Sequence, residues 1–278
     1  MTNIVNGDLF IIGGNEDKLG EMEILSTFIK DTKTKEGKIG ILTTATGYPE
    51  EVGGEYRDIF LKLGASKVEL IHIDTRTKAE DPEFLEKVST LSALFMTGGD
   101  QNRLSSIIGG TSFFKRMQRE WHNGMIIAGT SAGAAIMSRH MIVSGKTKAN
   151  QANVNVEMGV GFGFLEDVVI DQHFSQRARF GRLLHAIAQN PQIIGVGIDE
   201  NTAVWVRDGG RFFEVIGEHS VTVIDGCKLS FVDIADEAES DEVTITGVQL
   251  HSLAKGYQFD LEQRHLIIKE KRTQPDEN

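Results

Sequence analysis

At 278 residues, with 40% hydrophobic and 25% charged residues, the chain has a soluble globular composition and can bury a sizeable core. Its formal charge of −11 argues against general nucleic-acid binding, which needs a basic surface to displace counterions, but suits a cationic or zwitterionic ligand or plain solubility. A single cysteine, Cys227, excludes an intrachain disulfide; no stretch reaches the length of a membrane span and residues 1–8 hold no targeting pattern, so a cytoplasmic protein is expected.

An apolar run at residues 8–12 predicts a first strand ending in Gly13-Gly14. Residues 21–30 then place Ile24, Leu25, Phe28 and Ile29 at helical spacing. A strand is expected at 38–43. Residues 50–63 carry Tyr56, Ile59, Phe60 and Leu63 on one helical face, closed by Gly64. Strands at 68–73 and 93–97 follow, then a helix at 113–123 closed by Gly124, then a strand at 125–128. This alternation predicts a mostly parallel α/β sheet with helices on both faces. Residues 168–170 and 193–198 read as further apolar strands, and the segment opening at Ser175 reads as a helix running to Gln189. Beyond residue 200, short runs at 203–206, 211–216, 221–225, 229–234 and 243–250 alternate with turn signals such as Asp208-Gly209-Gly210. They are expected as antiparallel additions to the same sheet plus a small edge sheet, with residues 271–278 as a frayed tail. No repeat or low-complexity linker divides the chain. One domain over 1–278 is therefore expected, with its core at about 8–225 and an extension and tail at 226–278.

Ligands of open parallel sheets bind beyond the carboxyl ends of the strands. Thr43-Thr44, Gly98-Gly99-Asp100-Gln101 and Gly129-Thr130-Ser131-Ala132-Gly133-Ala134 all fall at such ends. The last of these has the G-x-S-x-G pattern of a nucleophile elbow, where a sharp strand-to-helix turn projects a serine hydroxyl. Such a hydroxyl needs a base, and the base needs a partner that fixes its tautomer. Of eight histidines, His173 is best placed, at the polar end of a β-branched strand. His122 suits a helix end, His185 a helix surface, and His72 lacks companions at a metal-binding spacing. For the orienting acid Glu200 is favoured, at the end of strand 193–198; Asp199, Asp171 and Glu157 remain rivals. The amide of Ala132 and that of Gly99 are the expected oxyanion donors. Arg177, Arg179 and Arg182, in what reads as a helix start, either recognise anionic groups or form a solvated face.

Four blocks carry a family resemblance. Gly98-Gly99-Asp100-Gln101, the elbow, Asp171-Gln172-His173-Phe174-Ser175-Gln176-Arg177 with Gly181-Arg182-Leu183, and Gly197-Ile198-Asp199-Glu200 resemble the cyanophycinase family in identity and order. That serine peptidase family also contains aspartyl dipeptidase, and the resemblance spans roughly residues 8–225. It implies a flavodoxin-like fold related to class I glutamine amidotransferases, a homodimer, and no cofactor. It implies a substrate that is cyanophycin, a poly-aspartate with arginine on each side-chain carboxyl, or a short aspartyl peptide. On the matched positions Ser131 would be the nucleophile, His173 the base and Glu200 its partner. Gln101, Gln172, Arg177, Arg179 and Arg182 would line the substrate pocket. Residues 145–155 depart from the family in holding no acid.

Overall fold

In a computed structural model of the chain, the described residues are 6–33, 37–144, 156–234 and 243–268. The acid-free stretch at 145–155 and the expected tail at 271–278 lie outside them. The strands are β1 (Leu9–Ile12), β2 (Lys38–Leu42), β3 (Lys67–Ile71), β4 (Ala93–Met96), β5 (Ile126–Thr130), β6 (His140–Ser144), β7 (Glu157–Val160), β8 (Val168–Gln172) and β9 (Ile194–Ile198). They continue as β10 (Thr202–Arg207), β11 (Phe212–Gly217), β12 (Val221–Asp225), β13 (Phe231–Ile234), β14 (Val243–Thr246), β15 (Gln249–Leu253), β16 (Gln258–Asp260) and β17 (His265–Ile267). The helices are α1 (Glu23–Lys33), α2 (Pro49–Lys62), α3 (Pro82–Ser89), α4 (Gln101–Ile108), α5 (Ser112–His122), α6 (Ala132–Ala135) and α7 (Phe180–Gln189). None is long and apolar enough to cross a membrane.

Among the described residues nine strands form one sheet in the order β17-β16-β11-β10-β1-β5-β4-β2-β3. Strands β1, β5, β4, β2 and β3 run parallel to their neighbours, and β10, β11, β16 and β17 extend the sheet antiparallel from β1. The alternation of β1 explains its buried place at the centre. Leu9 and Ile11 enter one apolar cluster, Phe10 and Ile12 the other, so both faces need cover. Helices α1 and α2 cover one face through Leu25, Phe28, Tyr56 and Phe60. Leu104 of α4, Phe113 and Met117 of α5, and a second sheet cover the other.

That second sheet is built on the strands expected at 168–170 and 193–198 and takes in two of the late strands that were expected in the first sheet. It has the order β15-β12-β9-β8, with β8 and β9 parallel and the rest antiparallel. The late strands therefore divide: β10, β11 and β16 join the first sheet, β12 and β15 the second. The physical reason lies in β8 and β9, which are apolar on both sides. Val168, Ile170, Val196 and Ile198 face the first sheet, while Val169 packs with Leu183, Ala186 and Ile187 of α7. Gly197 has no side chain because the Phe174 ring lies where a Cβ would stand, 2.5 Å away.

The helix expected from Ser175 starts instead at Phe180. His173 and Ala178 have φ of 49° and 50°, outside the helical range. The segment between them is wound as turns, with Arg177 N donating to His173 O at 3.0 Å and Arg179 N to Phe174 O at 3.0 Å. Of the three arginines only Arg182 lies within α7; Arg179 is its N-cap residue and Arg177 precedes it.

Candidate active site

Strand β5 ends at Thr130, and the chain reverses at Ser131 with φ 53° and ψ −110° before α6 begins. A non-glycine residue with positive φ is uncommon, and such strain collects at functional sites. Two glycines make the turn possible. A Cβ on Gly129 would stand 2.3 Å from Gly133 O, and one on Gly133 would stand 2.3 Å from Met96 O. The Ser131 amide is fixed on β1 by a 3.0 Å bond to Ile12 O.

Strand β8 of the second sheet ends at Gln172, delivering His173 to this turn. Ser131 Oγ lies 3.0 Å from His173 Nε2, and His173 Nδ1 lies 2.6 Å from Glu200 Oε1. With Glu200 ionised, the Nδ1–H tautomer donates to the carboxylate and leaves Nε2 to accept the serine proton. The rival acids are occupied elsewhere. Asp171 accepts from Arg179 and Arg182, Asp199 from the Ser175 amide and from Ser220, and Glu157 from Ser144 Oγ.

Burial holds the His173 pKa below the ordinary 6.5; the Glu200 hydrogen bond opposes this and the Arg177 charge adds to it. Burial alone would raise Glu200, but hydrogen bonds from His173 and Asn15 hold it below the usual carboxylate value. At neutral pH the site thus contains a neutral imidazole beside an anion. That is the state a general base requires.

The loop after β1 supports this pair, and the sequence reading passed over it. His173 N donates to Gly13 O at 2.8 Å. Gly14 has φ 97°, and a Cβ there would stand 2.3 Å from the imidazole Cε1, so the ring occupies the space a side chain would need. Asn15 Nδ2 donates to Glu200 Oε2 at 3.0 Å. Gln176 Oε1 accepts from the Glu200 amide at 3.1 Å. The signal was available: Gly13-Gly14-Asn15 ends a strand as Gly98-Gly99-Asp100 does.

Gly98 and Gly99 face the elbow from the end of β4. A Cβ on Gly98 would stand 3.4 Å from Ser131 Cβ, and Gly99, at φ 141°, would strike Ala45 O. Among the described residues neither the Gly99 nor the Ala132 amide has an acceptor. Two unspent donors near one hydroxyl suit a developing oxyanion.

The other expected pocket residues are distributed unevenly. Gln172 Oε1 reaches to 3.5 Å from Ser131 Oγ, whereas Gln101 Nε2 donates to Ile142 O at 3.1 Å. Arg182 corrects the expectation of an open row of cations. Its Nε bonds Asp171 Oδ2 at 2.6 Å and its Nη2 bonds Oδ1, because a carboxylate buried at 1% exposure requires a paired cation. Arg179 joins the same carboxylate at 3.2 Å and the Gln172 carbonyl; burial lowers its pKa to about 10. Arg177 is exposed and forms no ion pair among the described residues.

A cleft of about 760 Å³ opens over Ser131 and His173, lined also by Glu16, Lys18, Glu55, Tyr56, Gly98 and Thr130. Its charged lining is Glu16, Asp17, Lys18 and Glu55. No group of three or more His, Cys, Asp or Glu side chains among the described residues is placed to hold a metal ion.

Residues 9–213 match the model of peptidase family S51. The chain is 37% identical over 261 residues to a cyanophycinase of Trichormus variabilis and to one of Nostoc sp., covering 93% of this chain and 87% of each relative. A cyanophycinase of Geminocystis herdmanii is 35% identical over 262 residues, covering 94% and 96%. A crystal structure of a peptidase from an acI-B1 actinobacterium superposes with a TM-score of 0.70 over 92% of this chain and 98% of that one, at 22% identity. A putative peptidase E from Listeria monocytogenes gives 0.51 over 76% and 97%, at 18% identity. Those two likenesses show the fold: mixed α/β with a mostly parallel central sheet.

Proposed function

Since the chain belongs to peptidase family S51 and is a serine peptidase, we propose that it hydrolyses the aspartyl backbone of cyanophycin from a chain end and releases β-Asp-Arg dipeptides. Ser131 Oγ attacks the backbone carbonyl while His173 Nε2 takes its proton. Glu200 holds the imidazole in the required tautomer and stabilises the imidazolium. The Ala132 and Gly99 amides bind the oxyanion, a contribution of about 3–4 kcal/mol per donor in comparable sites. His173 then protonates the leaving amine, and water cleaves the acyl-enzyme by the same route in reverse. The observation that carries this reading is the unbroken hydrogen-bonded line from Ser131 Oγ through His173 to Glu200 at a strained elbow.

The substrate assignment is supported by the relatives' activity and by the cleft. Cyanophycin presents carboxylates and guanidinium groups together. Asp17 and Glu55 line the cleft, and the exposed Arg177 lies close enough to His173 and Glu200 for its charge to act on both. A second reading, an aspartyl dipeptidase acting on short Asp-X peptides, is favoured by one observation: Arg179 and Arg182 are held on Asp171, leaving fewer cations free for a polymer. The parallel order β3-β2-β4-β5 supports a flavodoxin-like arrangement related to class I glutamine amidotransferases. We also assign the active form as a cytoplasmic homodimer. Mass spectrometry of products from purified cyanophycin tests the function. β-Asp-Arg from the native chain and none from Ser131→Ala is the expected result. Faster turnover of Asp-X dipeptides than of polymer would transfer the assignment to the second reading, and an active alanine variant would dismiss both.

A further inference from the structure

We propose that Glu16 is a positioning residue for the nucleophile, fastening Thr130, and through it the strained Ser131 turn, to the loop that holds His173 and Glu200. This rests on the reading of Ser131 as the nucleophile and goes beyond it.

Glu16 is 4% exposed and Thr130 3% exposed, so their contact is shielded from water. Thr130 Oγ1 donates to Glu16 Oε2 at 2.7 Å, and the Tyr56 hydroxyl of α2 donates to Oε1. Both carboxylate oxygens are therefore occupied by hydroxyl donors. Among the described residues no cation pairs with Glu16; the nearby Lys18 ammonium is bound to Glu55 at 2.6 Å. Burying a charge without a counter-ion is costly, and a hydrophobic residue would fill the place at lower cost unless the anion had a task. Burial and the Glu16 charge both push the Tyr56 phenol up, which keeps it protonated as the donor.

The position of Glu16 indicates that task. Four successive residues after β1 each touch the site: Gly13 O accepts from His173 N, Gly14 makes room for the ring, Asn15 holds Glu200, and Glu16 holds Thr130. The nucleophile rides on the first sheet, and the base and acid ride on the second. Residues 13–16 contact both. Without the Glu16–Thr130 bond the elbow keeps its backbone bond to Ile12 but loses its side-chain tie to the loop under the imidazole, and a misplacement of about 1 Å costs on the order of 100-fold in rate.

The test uses the full chain and reads the rate of inactivation by a fluorophosphonate per folded molecule, with the labelled serine mapped by mass spectrometry. That reaction depends on the alignment of Ser131 with His173, not on the identity of the substrate. Glu16→Ala and Thr130→Val should each slow labelling of Ser131 by about 10-fold or more. The double variant should be no slower than the singles, and Thr130→Ser should react within about threefold of the native chain. If Glu16→Ala fails to fold, the Thr130 pair decides alone. Native labelling rates in folded variants, losses that multiply in the double variant, or no rescue by serine would overturn the positioning role. Label mapping to a serine other than Ser131 would overturn the nucleophile assignment itself, and the proposal with it.

Discussion

A base must be unprotonated before it can take the serine proton, so with His173 as the proposed base its environment fixes the acid side of the pH profile. Burial and the Arg177 charge lower its pKa, and Glu200 raises it less than they depress it. Activity is therefore expected to hold as pH falls to 6.5 and to be lost only as His173 protonates below that value. Arg177→Ala removes one of the lowering charges, so its acid limb in kcat/KM should move to higher pH; an unmoved limb would contradict the assignment. Gly14 offers a harder test at the same scale. Any Cβ there collides with the imidazole at 2.3 Å in a backbone conformation with φ 97°. Gly14→Ala should lower kcat by about 100-fold or more while far-ultraviolet circular dichroism stays native.

Among the elements, the turn between β8 and α7 is the least like its sequence. The composition of Ser175-Gln176-Arg177-Ala178-Arg179 permits a helix, yet tertiary contacts override that propensity. Phe174 is seated over Gly197, and the buried Asp171 draws Arg179 and Arg182 toward it. Among the described residues, Arg182→Ala would leave Asp171 with only Arg179 as a counter-ion. It should cost about 3–5 kcal/mol in urea unfolding, far above a surface arginine. The strand ends were legible because polar or glycine-rich stretches interrupt apolar runs: Ser131 stands in a glycine-rich one, His173 and Glu200 in polar ones. Helices α3 and α4 were passed over although each carries a capping signal. Asp81 accepts from Glu83 N at 2.9 Å ahead of Pro82, and Asp100 accepts from Asn102 N at 2.8 Å. Short helices give few periodic positions, so the cap was the better evidence.

Over the whole molecule, the parallel half of the fold followed from the alternation of apolar runs, but the second sheet did not. Strand pairing is a long-range property: an apolar run says that a strand is buried, not which sheet takes it in. The packing between the two sheets is accordingly where stability and activity meet. Ile170 is 1% exposed in that packing, on the strand that delivers His173. Ile170→Ala should cost about 2–5 kcal/mol of stability and also lower kcat in the fraction that remains folded. A stability loss with unchanged kcat would mean that the sheets settle without disturbing the line from serine to glutamate.

The division of the hydroxyl and the imidazole between two sheets also bears on synthesis. Ser131 and its strand neighbours leave the ribosome well before β12, the partner that β9 requires on its second edge. A nascent chain released short of residue 221 therefore owns the alcohol but lacks a finished mount for the ring that would activate it. On the proposed assignment, the line from hydroxyl to imidazole gains its full support only once residues 221–225 have been made.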